Sequence, residues 1–308
     1  MLKIFNTCSY KSLQTFSLLL LITALAGADV KAQDSTVAPV TTKKKSYVKN
    51  TFEDNYLIDN QTVMVPVKGT LEFDINHRFG TTDHGFKDLF GLFSGANMRL
   101  GLSYTPIKNL QVGAGVNNHN MTVDANVKYA ILRQTKDNAY PVSVTYFGNI
   151  AMDTRSKNPS LPIVTTSDRF SFYNSLMVAR KITEAFSVQA AINLTYFNNL
   201  EGYYDESGVI QAKMKHEHLS MSFSGRYKIT PKTSVLVNYD QPLTQHPMNN
   251  PRPNLSMGAE FKTSGHAIQV FFGNYGYTLP QDNHFYNQND YKKSQYVIGF
   301  NISRLWNF

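Results

Sequence analysis

From Leu71 to the C-terminus, apolar and polar residues alternate with a period of two in roughly a dozen segments, the pattern of half-buried β-strands. Phe186, Val188, Ala190, Ile192, Leu194 and Tyr196 alternate with Ser187, Gln189, Ala191, Asn193 and Thr195. Leu219, Met221, Phe223, Gly225 and Tyr227 stand against Ser220, Ser222, Ser224, Arg226 and Lys228. The same pattern runs through Met121–Tyr129, Val142–Tyr146 and Leu255–Phe261. With their flanks, the segments run roughly nine to fifteen residues, longer than most soluble strands and near what a tilted strand needs to cross a bilayer.

The connectors alternate in length. Short turns fall at Thr105–Asn109, Lys181–Glu184, Lys228–Lys232 and Lys262–Gly265, and long polar loops at Asp153–Asp168, Asn198–Gln211, Gln241–Asn254 and Asn274–Ser294. Two connectors break the rule: Asn117–Asn120 is short where a long loop is due, and Gln134–Pro141 is long where a turn is due. Short turns at one end and long loops at the other predict an all-β fold, a transmembrane antiparallel up-and-down barrel over residues 69–308. About twelve strands fit, with roughly ten or fourteen as the alternatives. A soluble sandwich or propeller also alternates, but it does not call for strands this long with one face of small polar and scattered charged residues.

The last segment carries Tyr296, Ile298, Phe300 and Ile302 on one face, then Trp306 and the terminal Phe308. A C-terminal aromatic on an alternating strand resembles the signal read by the barrel-assembly machinery of the outer membrane, with Phe308 as its contact. Arg304 interrupts that face, so a bulge or a place at the lipid headgroups is expected there. Phe79, Tyr104, Tyr129, Tyr146, Tyr196, Tyr227 and Tyr239, near strand ends, would form interfacial girdles against outer-membrane lipid.

Upstream of the strands the character changes. Lys3 and Lys11 precede the apolar run Phe16–Ala26, and Ala26-Gly27-Ala28 is a small-residue cleavage site. Residues 1–33 thus read as an export signal, cleaved after Ala28 or after Gln33. The run is too short for a membrane span. Cys8, the only cysteine, precedes it, which excludes a lipoprotein anchor and leaves a mature chain with no disulfide, thiol nucleophile or cysteine-bound zinc. Residues 34–68 read as a flexible periplasmic segment, with Lys43-Lys44-Lys45 as a solvated run. Most of the formal net charge of +8 sits in the first fifty residues, in seven lysines against Asp29 and Asp34. The basic balance is therefore terminal, and no nucleic-acid face is expected.

Composition agrees with a β-barrel. Charged residues make up 17% of the 308, against about 25% in an average globular chain. Tyr (18) and Phe (20) far outnumber the single Trp. A mean hydropathy of −0.31 argues against a helical membrane protein.

At Leu57–Val63 and at Lys68–Gly80, which ends in His77-Arg78-Phe79-Gly80, the chain resembles a Bacteroidota family of outer-membrane β-barrels classed as a domain of unknown function. Gly85–Leu92 and Asn97–Tyr104 are similar to its next two blocks. The resemblance is sharpest over residues 57–116. It implies the fold, a Gram-negative origin and the outer membrane, and no reaction.

Alternation with Leu71, Phe73 and Ile75 turns Glu72, Asp74 and Arg78 to the lumen and His77 to the lipid side. Arg99, Asp124, Lys128, Arg226, Asp240 and Glu260 join them as lumen charges. Such charges either form a selective constriction or a paired network filling a narrow interior, and the paired network is favoured. Twelve strands lie between the filled eight-stranded barrel and the open sixteen-stranded one. His218 and Ser220 share a face at i, i+2 and resemble the pair of an outer-membrane phospholipase, but they face the lumen and the rest of that motif is missing. His216 and His218 lack a third metal ligand, so no metal is expected. Asp83-His84 and Asp205-Glu206 are weak protease-like pairs in loops. Gly113-Ala-Gly115 lacks the third glycine and the helix of a dinucleotide site, so no cofactor is expected and glycine there relieves crowding. Phe86, Leu89, Phe90 and Phe93 are spaced for a helical turn, either inside as a plug or on the rim. These residues point first to a passive or narrowly selective pore for small solutes. A lipase-like hydrolase and a closed scaffold or adhesin binding through external loops are the alternatives.

Overall fold

The computed structural model describes residues 46–156 and 163–308. The export signal, the Lys43–Lys45 run and residues 157–162 lie outside the described residues.

The wall has twelve strands: β1 (Thr70–Thr81), β2 (Asn97–Ile107), β3 (Leu110–Asn117), β4 (Thr122–Leu132), β5 (Ser143–Asp153), β6 (Phe170–Lys181), β7 (Phe186–Phe197), β8 (Glu217–Thr230), β9 (Thr233–Pro242), β10 (Asn254–Lys262), β11 (His266–Gly273) and β12 (Val297–Asn307). Each pairs antiparallel with its sequence neighbours, and β12 returns to β1 with Trp306 opposite Leu71 and Ile302 opposite Ile75. The barrel is closed, so no strand edge is left unpaired.

Polarity is inverted relative to a soluble β-protein. Leu102, Val116, Ile131, Phe223 and Phe272 point outward and are exposed, while Thr145, Asn193, Ser220, Ser222, Gln269 and Asn301 are buried inside. An apolar band outside and polar residues inside is how a lipid-facing barrel satisfies its alternation, and it removes the sandwich alternative. Tyr104 and Tyr227 sit where their strands approach short turns, Tyr129 near the 133–142 connection at the same end, and Phe79, Tyr196 and Tyr239 near the long loops of the other end. Tyr146, also on the outer face, donates to Asn174 Oδ1 at 2.6 Å.

Both departures from the connector rule are present. The short 118–121 connection is closed by a turn in which Asn120 and Met121 adopt positive φ. The long 133–142 connection receives the incoming N-terminal segment: Tyr47 bridges Thr135, and Val48 N donates to Gln134 O at 2.8 Å. Arg304 stays in register opposite Phe73, so no bulge forms there; the register shift in β12 lies between Val297 and Gly299. The Arg304 guanidinium lies 4.9 Å from the Trp306 ring on the outer face, an amphipathic pair suited to the headgroup zone. The Phe86–Phe93 stretch forms a 3-10 helix and tight turns on the rim, with Phe86 and Phe93 strongly exposed.

The largest departure from expectation is residues 46–68. The part expected to be flexible in the periplasm is packed inside the barrel from Thr51 to Val63. Tyr56–Leu57 pair with Asn60–Gln61 in a hairpin whose tip is Ile58-Asp59. Phe52, Leu57, Ile58 and Val63 pack on Phe147, Tyr173, Met177, Leu236 and Phe271 of the wall. The segment stays inside because the wall supplies both apolar contacts and a partner for its polar groups, as described next.

Candidate functional site

The site is the lumen and the two segments that fill it. Strand alternation places Glu72, Asp74 and Arg78 of β1, Arg99 of β2, Asp124 and Lys128 of β4, Arg226 of β8, Asp240 of β9 and Glu260 of β10 in the interior, each nearly or fully buried. Arg99 donates to Asp74 at 2.8 Å and through Nε and Nη2 to Asp124 at 2.8 and 2.9 Å. Gly101 and Gly115 lie in the row between these carboxylates, opposite Asp74 and Asp124 respectively. A Cβ at Gly115 would come 2.4 Å from Arg99 Nη2, so glycine makes room for the guanidinium.

The remaining charges bind the N-terminal hairpin. Glu53 collects Arg226 at 3.2 Å, Lys228 at 3.7 Å and Lys262, while Arg226 Nε also donates to Glu260 at 2.9 Å. Asn55 donates to Glu72 and to Gln111, and Lys128 Nζ donates to the carbonyls of Asn55 and Met64 at 3.3 and 3.4 Å. Asp240 accepts from Asn60 at 2.8 Å, and Arg78 meets Asp59 at 3.3 Å. The hairpin backbone is held by wall amides: Ile58 N donates to Gln269 Oε1 at 3.0 Å and Val63 N to Gln189 Oε1 at 2.9 Å. Buried backbone groups outside a sheet need such partners.

From the loop end, the 274–296 loop turns inward through the short helix α1 (Pro280–Tyr286), with Pro280 at its first turn. Asn283 donates to Asp59 Oδ2 at 2.6 Å, and Gln281 to Asn149 Oδ1 at 2.9 Å. Burial, with Asp153 and Asp59 nearby, pushes the Asp282 carboxyl up to about 7.

His218 and Ser220 are both fully buried and do not pair with each other. Ser220 Oγ lies 2.9 Å from His284 Nδ1, and His218 Nδ1 lies 2.9 Å from His246 Nε2. His284 Nε2 is 3.4 Å from the Tyr173 hydroxyl, where a hydrolase would place an orienting carboxylate. His284 and His246 come from loops, and sequence spacing held no sign of either. His216 bonds the Phe197 carbonyl at 2.6 Å. No group of three metal-binding side chains occurs among the described residues. In the loops, His84 pairs with Asp88 at 3.1 Å, and Asp205 caps its own turn through Ser207 N and Val209 N.

His77-Arg78-Phe79-Gly80 divides its work between the two faces. His77 stacks on Phe300 outside at 4.8 Å, and Arg78 reaches Asp59 and Asn301 inside with its guanidinium 4.5 Å from the Phe271 ring. At Gly80 a Cβ would come 2.3 Å from that of Ser94.

Residues 52–306 match the family described as "Membrane bound beta barrel domain (DUF5777)". No curated protein matches the sequence. Among solved structures, the chain is similar to the NanC porin, with 9% identity and a TM-score of 0.47 over 77% of this chain and 99% of that one. It is also similar to an outer-membrane channel from Pseudomonas putida F1, with 14% identity and a TM-score of 0.46 over 79% and 97% of the two chains. For the KdgM porin the values are 9% and 0.45, over 78% and 99%.

Proposed function

This chain belongs to the membrane-bound β-barrel domain family, and we propose that it is an outer-membrane pore for small solutes, held shut by its own N-terminal segment. One observation carries this reading: the segment fills the lumen but contributes no strand to the wall. The barrel closes through β12 and β1 alone. Both legs of the Tyr56–Gln61 hairpin run back to the turn end, so it is able to withdraw without unthreading. Withdrawal would leave a wall of Ser, Thr, Asn and Gln side chains punctuated by Arg78, Arg99, Arg226, Asp124 and Glu260, the lining a hydrated passage needs. A closed scaffold draws support from the apolar packing of Phe52, Leu57, Ile58 and Val63 on the wall. A hydrolase does not fit a serine with no exposed surface.

Asp54 accepts from Ser303 of β12 at 2.8 Å, which gives a place to lock the plug. In a chain with Cys8→Ser, the pair Asp54→Cys and Ser303→Cys should give stepwise conductance in planar bilayers when reduced. Oxidation should silence it, and reduction should restore it. Arg78→Ala or Arg226→Ala should then shift the ion preference of the open steps. Silence in both redox states across the applied voltages would overturn the pore in favour of the closed scaffold.

A further inference from the structure

On the loop side of the plug lies a cavity of about 490 Å³, within the usual range of small-molecule sites. It is walled by Tyr277 and Tyr286 of the inward loop and by Phe170 at the start of β6, with Asp282 of α1 facing into it. Asp282 is 7% exposed, and its side chain has no hydrogen bond or ion pair with any described residue. The two arginines that line the cavity with it are engaged elsewhere. Arg155 grips both oxygens of Asp153 at 2.6 to 3.1 Å. Arg169 Nη1 is given to the carbonyls of Asp153 and Arg155 at 2.7 and 2.8 Å. A secluded carboxylate without a counter-charge is costly unless a cation or a proton joins it. Burial pushing this carboxyl up to about 7 is the trace of that cost.

We propose that this cavity is a binding site for a small organic cation, an ammonium group on an apolar or aromatic body, with Asp282 as its counter-ion and Tyr277, Tyr286 and Phe170 against its body. The ammonium supplies both the charge and the N–H donors that Asp282 lacks. Aromatic faces favour a cation over a neutral or anionic ligand of the same shape. The site lies on the loop side of the hairpin, so binding there does not depend on whether the barrel conducts.

Three probes of one shape and different charge test it: benzylamine, benzyl alcohol and benzoate, titrated calorimetrically into the detergent-folded mature chain. Benzylamine should bind, benzyl alcohol at least tenfold more weakly, and benzoate not at all. Asp282→Asn should weaken benzylamine at least tenfold. Its melting temperature should be unchanged or raised, since a buried charge is removed. Glu184→Gln, at an exposed turn on the opposite end, should bind as the parent does. Equal binding of the alcohol or benzoate, undiminished binding to Asp282→Asn, or no binding of millimolar benzylamine to the parent would each overturn the proposal.

Discussion

Asp59 and Asn283 meet inside the barrel, Asn283 Nδ2 donating to Asp59 Oδ2 at 2.6 Å. Asp59 is the tip of a hairpin that enters from the turn end, and Asn283 belongs to a helix that enters from the loop end. One carboxylate therefore joins the two segments that fill the lumen. Its second oxygen faces Arg78 of the wall at 3.3 Å.

Removing that carboxylate leaves the Arg78 guanidinium buried without its counter-ion. Asp59→Ala should cost about 3–5 kcal/mol, the usual penalty for breaking a buried pair. Guanidinium unfolding of the detergent-folded barrel measures it. Asp59→Ala combined with Arg78→Leu should lose less than the sum of the two single variants, because the second change removes the stranded charge. Simple additivity would show that the pair is not the anchor.

At the turn end, Glu53 is held by three cations, two of them partly open to solvent: the Lys228 and Lys262 side chains are 25% and 40% exposed. Salt screens such contacts more than it screens fully buried pairs. Glu53→Gln should open more often than the parent in single-channel recordings. Raising salt from about 0.1 to about 1 M should increase openings in the parent and change the variant little. Equal opening frequencies in the two chains would detach Glu53 from gating.

The wall was legible in the sequence because alternation states which side chains face in. Leu219–Lys228 needs no other information to place Ser220 and Arg226 inside. The plug was not legible. Asp54, Asn55, Asp59, Asn60 and Thr62 have the composition of a solvated linker, and their partners Ser303, Gln111, Arg78, Asp240 and Asp54 are mostly far away in sequence. A hairpin only a few residues long has no period to detect. The one hint was Phe52, Leu57, Ile58 and Val63, too apolar for a tether. The same limit hid His284: an i, i+2 rule offers Ser220 only His218, while the histidine that reaches it lies 64 residues onward.

Gly115 tests the packing around Arg99. Gly115→Ala should displace the guanidinium from between Asp74 and Asp124 and cost about 1–3 kcal/mol, as overpacking does. Gly225→Ala on β8, where a Cβ meets nothing within 4 Å, should leave unfolding unchanged. Equal behaviour of the two variants would mean that Arg99 repositions freely.

His246 gives the loops a pH dependence whose sign follows from its bonds. Lys215 N donates to His246 Nδ1 at 2.9 Å, so that nitrogen carries no proton, and Nε2–H points at His218 Nδ1. Burial and then Lys215 hold the His246 pKa below its ordinary value. The opened loop, with a histidine near 6.5, takes up a proton more readily than the closed one. The closed loop is therefore at full stability above about pH 6.5 and loses it as the pH falls from there toward the lowered pKa. Hydrogen exchange over residues 213–218 and 243–253, corrected for intrinsic rates, should show protection at pH 7.5 that declines by pH 5. His246→Gln cannot take up that proton, so its protection should decline less between the two values than the parent's does. Protection in the parent that does not change across this range would mean that His246 is not what latches the loop.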